Sequence, residues 1–170
     1  MDITYEMITN WFDGYFEQVR TNQGPLETVR NLEQYFTTDF ELRMHTGPSQ
    51  TSIKMSRDEL LLSFVHPGLR EDIVPRYYVI DLRPMIVVVQ FEIRFYDEPL
   101  EKHWSPIQAS AHYHLTQDGN GDLKILRIEY WTEAIADDVF EVWGRRRTEA
   151  LTKYAMTYIT GNESTADGDG

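Results

Sequence analysis

Apolar residues recur along this chain with two different periods, and the change of period divides it. Ile8, Phe12, Tyr15, Phe16 and Val19 stand three and four residues apart, which predicts an amphipathic helix over residues 4–21 with Asp2 or Thr4 as its cap. Pro25, after Asn22-Gln23-Gly24, suits the first turn of a second helix whose Leu26, Val29, Leu32 and Phe36 share a face. From residue 40 the pattern alternates: Phe40, Leu42 and Met44 oppose Glu41, Arg43 and His45, as a half-buried strand over 40–46 requires, and Gly47-Pro48 ends it. Ser56 and Glu59 then form a capping box, with Met55 and Leu60 placed as a hydrophobic staple, so a short third helix runs to about Val65, before His66-Pro67-Gly68.

Four long strands are predicted next, over 76–83, 85–96, 108–117 and 123–132. Pro84 separates the first two, and Asp118-Gly119-Asn120-Gly121-Asp122 turns the last pair into a hairpin. A final helix over 138–159 carries Val139, Trp143, Leu151, Tyr154 and Tyr158 on one side. The expected organisation is one domain over 1–160 with a polar, Gly-rich disordered tail over 161–170. The fold class is α+β, with three N-terminal helices packed on a strongly curved antiparallel sheet and an extra C-terminal helix.

Length and charge narrow the function classes. At 170 residues the chain can bury one core without a second domain. A formal charge of −12 opposes phosphate backbones and anionic lipid, and Arg145-Arg146-Arg147 points three ways around a helix, so neither nucleic acid nor membrane is an expected partner. The absence of cysteine excludes disulfides and thiol nucleophiles, and with no signal pattern or long apolar run the expected location is cytoplasmic.

The order helix, helix, strand, helix and four long strands resembles the nuclear transport factor 2-like superfamily, which includes ketosteroid isomerases, limonene epoxide hydrolase and SnoaL-like polyketide cyclases. The likeness covers residues 4–135. It is carried by Gly121-Asp122-Leu123-Lys124-Ile125 with Glu129-Tyr130-Trp131-Thr132-Glu133, and by Tyr35-Phe36-Thr37-Thr38-Asp39-Phe40. The resemblance implies a cone-shaped α+β barrel with a small-molecule pocket. It also implies that Trp131 looks into the cavity, taking Glu129 and Arg127 with it by the two-residue pleat. Glu129 then matches the catalytic carboxylate of epoxide hydrolases, and Tyr15 the hydrogen-bonding tyrosine of steroid isomerases. The isomerases' general base falls on Met44 or, after a one-residue slip, on His45, which argues against the standard isomerase chemistry.

Further polar residues fall into register with that set. Gln90, Glu92 and Arg94 share one strand face, as do Ser110, His112 and His114. Turned inward, Glu92, Arg94, His112, His114 and Glu129 supply two carboxylates, a guanidinium and two imidazoles for acid–base work, with Tyr15, His45, Arg127 and Trp131 binding the substrate. The opposite register is equally open. Val89, Phe91, Ile93 and Phe95, with Ala109, Ala111, Tyr113 and Leu115, form an apolar face that helices can cover, leaving the polar set to solvent or a partner.

His112-Tyr113-His114 puts two imidazoles on one side, but a third ligand has only Glu92 or Glu129 to draw on, and no metal is expected. Asp118, Asn120 and Asp122 fit a calcium loop until Leu123 replaces its glycine, so a hairpin turn is expected. His66 and His103 read as structural or exposed histidines. The expected function is a cofactor-independent isomerase, dehydratase, cyclase or epoxide hydrolase acting on a small hydrophobic or polycyclic ligand, with a homodimer as the expected assembly. The alternative is a non-catalytic dimeric binding or assembly module.

Overall fold

The computed structural model describes residues 3–46 and 51–163. Helix α1 (Tyr5–Asn22) opens the chain, and Thr4 caps it by accepting the Met7 N–H at 3.2 Å. The alternative cap, Asp2, lies outside the described residues. The second helix is shorter than its apolar spacing predicts: α2 (Leu26–Val29) is one turn that tightens into a 3-10 segment, Arg30–Tyr35. Phe36 instead starts strand β1 (Phe36–Thr46), where Phe36-Thr37-Thr38 favours extended backbone and Phe36 packs edge-on against Phe40 at 4.8 Å.

Strand β2 (Thr51–Ser56), which the alternation did not announce, pairs antiparallel with β1. The Gly47-Pro48 stop between them lies outside the described residues. Ser56 begins α3 (Arg57–Ser63) through the predicted capping box: its hydroxyl accepts the Glu59 N–H at 3.3 Å, and the Glu59 carboxylate accepts the Ser56 N–H at 2.7 Å. Strand β3 (Leu69–Asp81) begins well before residue 76, followed by β4 (Ile86–Asp97), the two-residue β5 (Lys102–His103), β6 (Ile107–Gln117) and β7 (Leu123–Thr132). Between β6 and β7, Asp118 accepts the Asn120 and Asp122 N–H groups at 2.9 and 3.0 Å, and Gly121 takes a positive φ of 88°. The turn itself uses this carboxylate, as a hairpin needs.

Helix α4 (Asp137–Glu163) runs into the segment expected to be tail, and residues 164–170 lie outside the described set. Trp143 donates its indole N–H to the Ser63 carbonyl at 2.8 Å, and Arg146 reaches the buried Asp97 at 3.3 Å, fixing α4 to the domain. Among the described residues no helix is long and apolar enough to cross a membrane.

The strands form one sheet in the order β2-β1-β7-β6-β4-β3, with β5 beside β4. It is mixed rather than wholly antiparallel, because β1 and β7 pair parallel across nearly the whole chain. Ladder irregularities between Phe36 and Glu41, between Pro75 and Tyr77, and between His114 and Leu115 bend a sheet that curves without closing. Among the described residues, helices cover one face only. Phe12 packs edge-on to Tyr113 at 4.9 Å, and Phe16 lies 6.2 Å from Phe91. Each of these buried phenyl rings contributes roughly 1.5–3 kcal/mol.

Candidate functional site

Register decides which side chains share a face. Val89, Phe91 and Tyr113 point under the helices, so the residues between them point away. Three cross-strand rows result on the outer face: Tyr77, Gln90, Ser110, Trp131 and His45; Val79, Val88, His112, Glu129 and Arg43; and Asp81, Ile86, His114, Arg127 and Glu41. Glu92 and Arg94 continue β4 on that same face. The inward turn expected for Trp131, Glu129 and Arg127 is thus reversed, and His45, Glu92, Arg94, His112 and His114 go with them. The physical reason is burial: the helices bring an apolar stripe, and the sheet face that matches it is the apolar one.

The sequence does bring most of this set together, on the outer side. Glu129 is the hub. His45 Nε2 meets its Oε2 at 2.8 Å, and Arg43 and Arg127 each approach Oε1 at 3.4 Å. Partial burial pulls the Glu129 carboxyl up, but the His45 bond and the two guanidiniums outweigh it and hold the group below its ordinary range. Trp131 lies between two imidazoles, stacked on His45 at 4.8 Å and tilted to His112 at 4.7 Å. Arg127 also contacts the His114 ring at 3.2 Å, and burial together with that guanidinium lowers the His114 pKa. Glu92 and Arg94 stand apart from this hub. Arg76 and Arg94 hold Glu92 at 2.8 and 2.6 Å and drive its carboxyl down to about 2.

Tyr15 is the exception among the expected residues, since α1 buries it on the inner side. There it meets a carboxyl that the sequence pattern did not single out. Glu71 pairs with Phe95 across β3 and β4, which places it on the helix-covered face, and among the described residues no lysine or arginine pairs with it. Burial alone raises its pKa from 4.5 to about 7. Its side chain is nevertheless 20% exposed. Nearby inner-face residues Met44, Ile73, Ile107, Tyr130 and Thr132 are also only half-buried, whereas Val87, Leu115 and Ile125 at the opposite end are fully covered. Closer to Glu71, Leu69, Ile93 and Phe95 are buried, and Tyr78, Ile80 and Leu123 at the opposite end are half-buried as well.

His66, expected to be structural or exposed, is fully buried beside Glu71. Its Nδ1 lies 2.9 Å from the Leu69 carbonyl, which can only accept, so Nδ1 carries the hydrogen and the neutral ring leaves Nε2 as an acceptor. Nε2 makes no hydrogen bond and sits 3.9 Å from Glu71 Oε2, while burial lowers the ring's pKa. Burial keeps the hydroxyls of Tyr15, Tyr113 and Tyr130 protonated far above neutrality, and the Glu71 charge adds to this at Tyr15 and Tyr130. One signal for this group is in the sequence: Glu71 shares its parity with Leu69 and Ile73, which places a carboxyl in an apolar row.

Two open clefts also lie on the helix side. One of about 680 Å³ runs between the start of α2, Pro67 and the α4 residues Arg146, Ala150 and Tyr154. The other, of about 530 Å³, borders Gln23, Gly68 and Arg70. Neither contains the acid–base groups described above.

No protein-family model matches the sequence, and no curated protein matches it. Solved structures do. The β subunit of a benzoate 1,2-dioxygenase from Burkholderia mallei superposes with a TM-score of 0.61 at 12% identity, covering 78% of this chain and 93% of its own. ActVI-ORFA from Streptomyces coelicolor gives 0.57 at 9% identity, covering 77% and 98%. Nuclear transport factor 2 from Cryptosporidium parvum gives 0.55 at 16% identity, covering 74% and 90%. At these identities the likeness is one of fold.

Proposed function

Taking as premise that the chain adopts the nuclear transport factor 2-like fold, we propose that it binds a small, largely apolar molecule beside Glu71 on the inner face. There it moves a proton on that molecule without a cofactor, as an isomerase, dehydratase, cyclase or epoxide hydrolase does. The observation that carries this reading is Glu71, a carboxyl on an apolar and phenolic surface with its pKa near 7. A group that populates both protonation states near neutrality can take a proton and return it. His66 Nε2 offers a second acceptor close by, and the protonated hydroxyls of Tyr15 and Tyr130 are donors suited to an oxygen that gains charge during reaction. Since among the described residues no lysine or arginine pairs with Glu71, the site favours an uncharged ligand over an anion.

The test pairs the two carboxyl centres. A panel of small hydrophobic molecules bearing a carbonyl, hydroxyl or epoxide is screened by thermal shift and then for turnover. Glu71→Gln is expected to lower turnover by about 10²–10⁴-fold with the fold intact. Glu129→Gln leaves it within a few fold. The reverse result moves the chemistry to the outer cluster, and a protein that binds none of the panel in any form is better read as an assembly module.

A further inference from the structure

His66-Pro67-Gly68-Leu69 has the form of a type II turn. The Leu69 N–H donates to the His66 carbonyl at 3.1 Å, proline holds the second position, and Gly68 takes the positive φ of 82° that the third requires. A Cβ at Gly68 would also press on the Pro99 ring at 3.2 Å. The imidazole folds back across this turn, and its Nδ1–H closes onto the Leu69 carbonyl at 2.9 Å. The ring is thereby fixed at one end, and Nε2 at the other end can only accept. That nitrogen is buried and makes no hydrogen bond. Facing it at 3.9 Å is Oε2 of Glu71, two residues beyond the turn and on the same face of β3 as Leu69.

Glu71 is tied down by its main chain and free at its head. Gln23, at the end of α1, accepts the Glu71 N–H at 3.0 Å and donates to the Glu71 carbonyl at 2.6 Å, so the strand is held in place. The carboxyl itself makes no hydrogen bond among the described residues. Its distance from His66 exceeds a hydrogen bond by ~1 Å, a gap that rotation about the broad terminal torsion of a glutamate closes. Burial raises the Glu71 pKa to about 7 and lowers that of His66. Near neutrality the imidazole is therefore neutral, and the carboxyl carries its hydrogen for part of the time.

We propose that His66 holds the acid hydrogen of Glu71 on Oε2, so that the carboxyl meets a ligand only as a hydrogen-bond acceptor, and that the ligand is therefore an alcohol or phenol rather than the ketone, ether or epoxide of the same skeleton. The second half rests on the reading that a ligand binds beside Glu71, and narrows it. An ionised carboxylate has no hydrogen to give. The protonated form has one, but His66 takes it and leaves Oε1 with lone pairs alone. In both states the partner must donate. A hydroxyl does so, whereas a carbonyl or epoxide oxygen would set two acceptors against each other where water is excluded. Tyr15 and Tyr130, the titratable groups that feel the Glu71 charge, keep their hydrogens and can donate to the lone pairs of the ligand's hydroxyl.

Two measurements on the full chain test the two halves. Without ligand, nitrogen NMR of the His66 ring and carbon NMR of the Glu71 carboxyl, assigned with Glu71→Gln, are followed from pH 5 to pH 9. The Nε2 signal is expected to stay that of an unprotonated nitrogen and to move as Glu71 titrates. In His66→Phe the Glu71 midpoint is expected to fall by about one pH unit, because the acceptor that favours the protonated form is gone. A role in packing alone would leave that midpoint in place or, through more apolar surroundings, raise it. A hydrogen on Nε2, an Nε2 signal indifferent to Glu71, or a midpoint that stays or rises overturns the part given to His66.

With ligand, calorimetric titration at pH 6 compares cyclohexanol with cyclohexanone, indanol with indanone and fluorenol with fluorenone. The alcohol is expected to bind about tenfold or more tightly than its ketone, and the gap to narrow to about threefold or less in His66→Phe, where the Glu71 hydrogen is free to donate. Ketones that bind as well as alcohols, or a gap that His66→Phe leaves unchanged, overturn the ligand class. If no pair binds while the Nε2 signal still follows Glu71, the ligand site beside Glu71 fails and the hold of His66 on the carboxyl stands. Circular dichroism of each variant separates these effects from loss of fold.

Discussion

Glu71 and Glu92 lie on neighbouring strands of one sheet, yet their carboxyls are driven apart, to about 7 and about 2. The chemical group is the same; what differs is the company each face allows. Around Glu71 on the inner face water is removed and, among the described residues, no lysine or arginine pairs with the carboxyl, so the charged form is penalised. On the outer face, Arg76 and Arg94 donate to Glu92 and favour its charge. A polar residue's sequence neighbours do not reveal which of these fates awaits it. The side of the sheet that the helices cover does.

This contrast can be broken most severely in the core. Phe16→Ala, which empties the space against Phe91 and Tyr113, is expected to cost about 3–5 kcal/mol in denaturant unfolding, whereas Trp131→Ala on the outer face should cost about 1 kcal/mol or less in the monomer. Equal costs would mean that the outer face is as much a core as the inner one.

Next in size is the effect of pH through Glu71. Its folded pKa is raised, so the folded state holds a proton that the unfolded chain has released between about 4.5 and 7. Stability is therefore expected to fall as pH rises through that window, by on the order of 2–3 kcal/mol in all, and to level off above it. Glu71→Gln should flatten that slope and leave the variant more stable than the parent at pH 8. An unchanged slope would show that Glu71 is better solvated than its position implies.

Smaller effects test the elements around each face. Ser56→Ala removes half of the capping box of α3, one of the helices on the inner side, and is expected to cost about 1 kcal/mol in chemical denaturation. For Glu92 the sign is opposite to that of Glu71. Its depressed pKa gives a contribution present above about 4.5 and lost as pH falls toward about 2, so Glu92→Gln should weaken acid unfolding's dependence on pH in that range alone.

The local elements were largely legible. The i, i+3, i+4 stripe of α1, the capping box at Ser56 and the Asp118 turn each rest on interactions within a few residues, and each stands where the pattern puts it. Errors gather where longer-range contacts decide. The second helix yields to a 3-10 segment and an early β1, β3 begins well before residue 76, and β2 gains strand form by pairing with β1. Two-residue alternation ties Arg127, Glu129 and Trp131 together whichever way they face, whereas Glu92 and Arg94 form a separate group with Arg76. Glu71 was missed because the strand was expected to begin at residue 76, which left this carboxyl in a connecting segment with no face assigned to it.

The sequence by itself determined the α+β class, the caps and turns, and the membership of each strand face, since these follow from periodicity and from bonds between near neighbours. Only the tertiary structure decided that the apolar face is the covered one, that β1 runs parallel to β7, and that Glu71 meets His66 in the interior. Those outcomes depend on contacts between segments far apart in the chain. Alternation leaves two mirror choices of face, and only the helices' own apolar stripe selects between them.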